Sequence, residues 1–225
     1  MGMMKNRIFY VFLFVNLWFG AKVWAQQKIS EGKVVYAITY PDMDLDPQMM
    51  AMLPAESVVY FKDHWSRTDM NMGTGIYSVT IINSKTKEVT TLMDMMGTKT
   101  ATVIPEPEET KDKGKSPDNT KDFELLNEKK EIAGYPCKKA ILKNTDGTSF
   151  ELFYTDFILS ESQFAKQWNN FKGFPMEYVI VTSGFNMKLV AKEVSGETVS
   201  DTLFTIPPDY KLITQEEFSK MLEGN

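Results

Sequence analysis

Cysteine and histidine are almost missing from this 225-residue chain, which has Cys137 and His64 and no others. One cysteine excludes an intramolecular disulfide. One cysteine and one histidine cannot supply the four ligands of a structural zinc site. No Gly-rich phosphate loop and no Gly-x-Ser-x-Gly turn occurs, so the usual nucleotide cradle and hydrolase nucleophile are absent as motifs. Beyond residue 25 no apolar run is long enough to cross a bilayer, which takes about 20 residues. Positive charge is also short, with 25 Lys and Arg against 30 Asp and Glu.

The one marked apolar run is N-terminal. Lys5 and Arg7 precede Ile8 to Phe19, which only Asn16 interrupts, and Val23-Trp24-Ala25 follows. This order of charge, apolar core and small residues predicts a secretory signal peptide over 1–25, cut after Ala25. The remaining 26–225 is expected to be one domain, exported to the periplasm or secreted, with no stable membrane insertion. It keeps 22 basic against 30 acidic residues. That acidic balance argues against nucleic acid and anionic lipid surfaces as partners.

What is abundant is β-pattern and methionine. Lys33 to Tyr40, Glu56 to His64, Trp65 to Met72, Ile76 to Asn83, Lys87 to Met93 and Thr98 to Ile104 are rich in β-branched and aromatic residues and broken by turn signals. The short spacing predicts an antiparallel meander with no room for parallel crossovers. Between Pro41 and Pro54, Pro47 with Asp46 as N-cap predicts one or two helical turns. Pro105 to Lys121 has three prolines, dense charge and no aliphatic or aromatic residue, which predicts a mobile loop inserted in the sheet.

Strands resume at Phe123 to Glu128, and Gly134 in the following kink is free to take positive φ. A hairpin follows around Asp146-Gly147. Loops of two or four residues both predict one face carrying Cys137, Ile141, Phe150, Leu152 and Tyr154. Ser160 to Phe171 reads as a helix with Phe164, Trp168 and Phe171 in an apolar stripe. Met176 to Thr182 and Met187 to Val194 form a further hairpin, Leu203 to Ile206 a short strand, and Thr214 to Leu222 a helix with a capping box from Thr214 and Glu217. The total is about ten antiparallel strands with two or three helices, mainly β within the α+β class.

Three stretches carry a resemblance: Lys130 to Lys139 (KEIAGYPCKK), Gly173 to Tyr178 (GFPMEY) and Phe204 to Tyr210 (FTIPPDY). In these the chain resembles a family of exported proteins of Gram-negative bacteria known only as a domain of unknown function. The resemblance implies no activity and no catalytic residues. At the level of architecture the chain also resembles the LolA/LolB/LppX group of periplasmic lipoprotein carriers. That second likeness implies a curved open sheet, or half-barrel, with helices packed on its concave face around an apolar cavity.

Met70 and Met72 lie two apart on a strand and so share a face, as do Met93 and Met95. Thioethers either line adaptable apolar surfaces or bind Cu(I). Asp42, Asp44 and Asp46 alternate like the start of a calcium loop. The sixth position is Pro47 and the twelfth Leu53, where such a loop needs Gly and Glu, so a solvated turn fits better. Cys137 alternates with Ile141 on a strand, the setting of a buried, inert thiol rather than a nucleophile.

The reading is a non-enzymatic binding or carrier protein for a lipid or other apolar small molecule, with no cofactor. Its candidate cavity residues are Met70, Met72, Met93, Met95, Ile141, Phe150, Leu152, Tyr154, Phe164 and Trp168. An envelope interaction protein with a filled core and a methionine-rich copper protein remain as alternatives. Export itself is directly testable. Full-length protein made in a Gram-negative host is expected in the periplasmic fraction with Gln26 as its N-terminal residue by sequencing, and an intact Met1 terminus in the cytosol overturns the assignment.

Overall fold

The structure, a computed structural model, describes residues 28–73, 75–105, 122–143, 149–160, 171–181 and 186–223. The expected signal peptide, nearly all of the 105–121 insertion, the Asp146-Gly147 turn, and Phe164 and Trp168 of the expected helix lie outside these residues.

The chain is mainly β. Strands β1 (Glu31–Thr39), β2 (Glu56–Lys62), β3 (Trp65–Asn71), β4 (Ile76–Asn83), β5 (Val89–Met95) and β6 (Thr98–Ile104) form one antiparallel meander. Strands β7 (Asp122–Ile132), β8 (Tyr135–Lys143), β9 (Ser149–Thr155), β10 (Phe174–Val181) and β11 (Asn186–Ser195) form a second. The last strand of the second meander pairs with the first strand of the first. The result is one open curved sheet in the order β12-β6-β5-β4-β3-β2-β1-β11-β10-β9-β8-β7. The twelfth strand, β12 (Lys211–Leu212), was not expected and runs parallel to β6.

The main core lies across the β1–β11 seam. Val34 opposes Val194, Tyr36 opposes Ala191 and Ile38 opposes Leu189, while Val34 also opposes Val59 of β2. The phenol of Tyr36 donates to the carbonyl of Pro175 at 2.6 Å, and its ring meets Tyr178 edge-on with centroids 5.7 Å apart. Phe61, Phe174, Met176 and Leu189 complete the packing. Each such side chain contributes roughly 1.5–3 kcal/mol on full burial.

Helix α1 (Pro47–Met50) starts as expected, with the Asp46 carboxylate accepting from the N–H groups of Gln48 and Met49. Helix α2 (Gln215–Glu223) carries the expected capping box. Glu217 N–H donates to Thr214 Oγ1 at 3.2 Å, and Thr214 N–H donates back to the Glu217 carboxylate at 2.8 Å.

Two expectations are corrected. The first is the β8–β9 register, which sets Leu142 opposite Phe150, Ala140 opposite Leu152 and Lys138 opposite Tyr154. Ile141 opposes Glu151 and lies on the other face from Phe150, Leu152 and Tyr154. Five residues separate the last paired positions, Lys143 and Ser149. An odd loop reverses the parity that loops of two or four share. The second is Leu203 to Ile206, which is not a strand. Asp201–Phe204 forms a 3₁₀ turn, with the Ser200 hydroxyl accepting from Thr202 N–H. The turn drives Phe204 into the sheet face, and Lys211–Leu212 pairs with the edge instead.

Two glycines show how the seam constrains the chain. Gly32 has φ +153°, and a Cβ there would stand 2.2 Å from the carbonyl oxygen of Ser195. Gly97 has φ +92° with nothing within 4 Å. Gly32→Ala is expected to cost about 2–4 kcal/mol in urea unfolding, since seam backbone has to move. Gly97→Ala is expected to cost only the conformational strain, about 1–2 kcal/mol. Equal losses would show that the seam yields freely.

Candidate functional site

Strands β2 to β6 place their alternate side chains in level rows. Ser57, Met70, Ser78, Met93 and Thr100 oppose one another in sequence across the five strands. Val59, Thr68, Thr80, Thr91 and Thr102 form the next row, and Phe61, Ser66, Ile82, Val89 and Ile104 the third. Beyond the first row, Met72 N–H donates to the Ile76 carbonyl, and Ile76 opposes Met95. All these side chains share a face, and none of them carries a formal charge. Most are half-buried.

Every charged side chain of these strands falls on the opposite face: Glu56, Lys62, Arg67, Asp69, Asp94 and Lys99. That face is covered by the chain before β12. Val79, Ile81, Leu92 and Ala101 are buried against Val199 and Phe204, and Trp65 stacks on Phe204 with ring centroids 5.9 Å apart. Several of the charges hold this cover down. Lys62 donates to the Val199 carbonyl at 3.0 Å and to Asp201 at 2.7 Å. Arg67 donates to the Leu203 carbonyl at 2.8 Å while paired with Asp69 at 2.6 Å. Lys99 pairs with Asp209 at 2.7 Å. The Tyr77 phenol donates to Asp69 at 2.8 Å, and burial together with this carboxylate pushes its pKa up to about 12.

One face is therefore sealed by charge-anchored packing, and the other presents thioethers, aliphatic groups and neutral hydroxyls. Chemically the neutral face suits an uncharged guest held by dispersion and hydrogen bonds. Methionines continue to its rim, where Met72 and Met96 are exposed, with Met49, Met50 and Met52 of the α1 segment exposed nearby in the chain. Gly73, beside Met72, lies against the backbone of Met52.

Of the residues expected from sequence, Met70, Met72, Met93 and Met95 do come together, on two neighbouring rows. Phe150, Leu152 and Tyr154 do not join them. Leu152 and Tyr154 are buried in a separate cluster with Ala140, Leu142 and Phe171, five strand positions from β3. Ile141 stands apart on the opposite face. Sequence reasoning missed Ser57, Thr68, Ser78, Thr80 and Thr91. The signal for them was the confinement of charge to one parity in each of β2, β3, β5 and β6.

Away from this face, a concavity of about 340 Å³ lies beside the β7–β8 turn and is lined by Lys129, Lys130, Cys137, Lys138, Tyr154 and Phe157 among others. Its charges are largely paired, Lys138 with Asp156 at 2.6 Å and Lys130 with Glu177 at 2.5 Å. Burial would raise the Glu177 carboxyl, but Lys130 and Lys188 together bring it below its usual pKa. The Cys137 thiol donates to the Tyr135 carbonyl at 3.3 Å, and burial pushes its pKa up to about 11. His64 lies beside Trp65 at the β2–β3 turn.

Residues 43–210 match the family described as Domain of unknown function (DUF4412). The chain belongs to that family. No curated protein matches it. Among solved structures it is similar to PNGF-II, at 14% identity and a TM-score of 0.50, over 86% of this chain and 32% of that one. The chain thus spans about a third of PNGF-II, and the likeness is one of fold. An uncharacterized conserved protein from Thermus thermophilus is similar at 10% identity and a TM-score of 0.46, over 82% of this chain and 91% of that one. MucB is similar at 10% identity and a TM-score of 0.33, over 84% of this chain and 60% of that one.

Burial raises several phenols, Tyr36 and Tyr178 most strongly, and Tyr77 and the Cys137 thiol offer two direct tests of pH behaviour. A phenol whose folded pKa is raised stabilises the fold in its protonated form, fully below its ordinary value of about 10. That contribution is lost as pH rises through 10 to about 12. Tyr77→Phe is therefore expected to flatten the fall in stability over this window, measured by urea midpoints. An unchanged slope would remove Tyr77 from the alkaline transition. The Cys137 thiol is expected to stay protonated at pH 8 and to react with a disulfide reagent at least about 100-fold more slowly in native protein than in denaturant. Equal rates would contradict its burial.

Proposed function

We propose that this protein is a non-enzymatic binding or carrier protein of the cell envelope, exported by its N-terminal signal, that holds an uncharged and largely apolar ligand. The observation that supports this reading is the half-buried, charge-free face of β2 to β6, whose opposite face is sealed. A filled structural core needs no such separation. Methionine suits the task, because its unbranched thioether repacks around guests of different shape. A curved sheet with helices over this face, as in the LolA group, is the arrangement the reading implies.

The energetics limit the ligand. Burying an acyl chain contributes about 0.8 kcal/mol per CH₂, so a twelve-carbon chain contributes roughly 8–10 kcal/mol. Association costs an estimated 4–15 kcal/mol. Short chains barely offset that cost, so the natural ligand is expected to have a long chain or several rings.

A second reading follows from the two neighbouring rows holding Met70, Met72, Met93 and Met95, since thioethers bind Cu(I). Met70 stands on β3 with Met72 just past its end, and Met93 and Met95 stand on β5; with β4 between them, the two backbones are roughly 9.5 Å apart. Both thioether pairs have to lean over Ser78 and Ile76 to share an ion. This favours the apolar reading over the copper one.

Native mass spectrometry of protein recovered from the periplasm of its Gram-negative host decides between them. The expected result is an organic adduct that is lost on solvent extraction and regained with added lipid. A clean apo mass that no lipid extract shifts overturns the carrier reading and favours an interaction protein. A Cu(I) adduct abolished by changing the four methionines to leucine favours the copper reading.

A further inference from the structure

Ser57 lies in the first row of the neutral face and is 1% exposed. Its hydroxyl is the one buried side-chain polar atom, among the described residues, with no hydrogen-bond partner. Its neighbours across the strands are Tyr36 on β1 and Met70 on β3. Tyr36 has already committed its proton to the Pro175 carbonyl, and a thioether is a weak acceptor. Buried hydroxyls without a partner are unfavourable, and native proteins carry few of them. This one faces the same side as Ser78 and Met93, the two residues that continue its row across β4 and β5.

The charge pattern narrows what can meet it. No cation stands on this face of β2 to β6, and Lys62, Arg67 and Lys99 all point to the other side, where they anchor the covering segment. An ionised carboxylate or phosphate brought to Ser57 would lose its hydration with one neutral hydroxyl in return, which is strongly unfavourable. A neutral hydroxyl or carbonyl would gain a hydrogen bond and satisfy Ser57 without burying a charge.

We propose that the ligand is a neutral amphipath whose hydroxyl or carbonyl group pairs with the Ser57 hydroxyl, so that the site selects alcohols and esters over fatty acids and phospholipids. This rests on the proposed binding role of the same face and specifies its ligand class. The geometry also assigns Ser57 as the residue that sets this preference, while the methionines of the face accept the hydrocarbon.

The test uses the full exported chain and displacement of the fluorescent apolar probe N-phenyl-1-naphthylamine. Competitors are 1-decanol, and decanoate at pH 8, where the acid is ionised. In the wild type, decanol is expected to displace the probe at a concentration at least about tenfold lower than decanoate. Ser57→Ala is expected to weaken decanol about five- to tenfold relative to the probe, and to raise the thermal midpoint of the ligand-free protein. Equal potency of decanol and decanoate in the wild type overturns the proposal without needing the variant. So does an unchanged decanol affinity in Ser57→Ala, which assigns the hydroxyl to a buried water. Failure of probe and competitors alike to bind the wild type overturns the binding role together with this inference.

Discussion

Everything in this sheet depends on the pairing of β1 with β11. Each meander is built from neighbours in the chain, and its hairpins need only local turns. The seam joins positions near the two ends of the described fold, Val34 with Val194 and Tyr36 with Ala191. Without it there are two separate antiparallel sheets, each with an exposed edge strand. Closing so long a loop is entropically costly. The compensation comes from the largest hydrophobic cluster among the described residues, centred on Val34, Tyr36, Phe61 and Leu189. The Tyr36 phenol ties that cluster to the backbone of β10. Gly32 marks how closely the seam strands approach, since its position leaves no room for a methyl group.

The seam also decides how the rest of the chain is used. With β1 buried in the centre, β2 to β6 extend as one half of the sheet, and both faces of that half need a solution. On one face, Lys62, Arg67 and Lys99 capture carbonyls and carboxylates of the returning C-terminal segment, whose Val199 and Phe204 fill the space beneath. The other face has no charge available for such anchors. It stays half-buried, lined by Met70, Met93 and a series of threonines. The asymmetry between a face sealed by charge-anchored packing and a neutral, half-buried one is a consequence of strand parity, since every charged residue of β2 to β6 sits at one parity.

Much of this was legible along the chain, and the failures have definite causes. Strands β2, β3, β4 and β6 begin where their turn residues predict, because Pro, Gly and Asn signals are local. The caps of α1 and α2 form from the expected Asp46, Thr214 and Glu217 for the same reason. The pairing of Met70 with Met72 and of Met93 with Met95 on shared faces follows from alternation alone. The β8–β9 face assignment failed because one residue of loop length reverses every side chain, and turn signals do not fix loop length to one residue. The segment at Asp201–Phe204 failed because its apolar pattern suits a strand, whereas a 3₁₀ turn there brings Phe204 against Trp65 and the buried face of β4 and β5.

By itself, then, the sequence determined the β-rich class, the local hairpins, the caps and the alternation that separates charged from neutral positions. These depend on residues within a few positions of one another. The tertiary structure alone decided that the two meanders fuse through β1 and β11. It also placed the two methionine pairs on one face, left Phe150, Leu152 and Tyr154 in a separate packed cluster, and left the buried hydroxyl of Ser57 without a protein partner. Each of those outcomes depends on register between distant strands, which is set by packing across the whole sheet and is written in no single stretch of the chain.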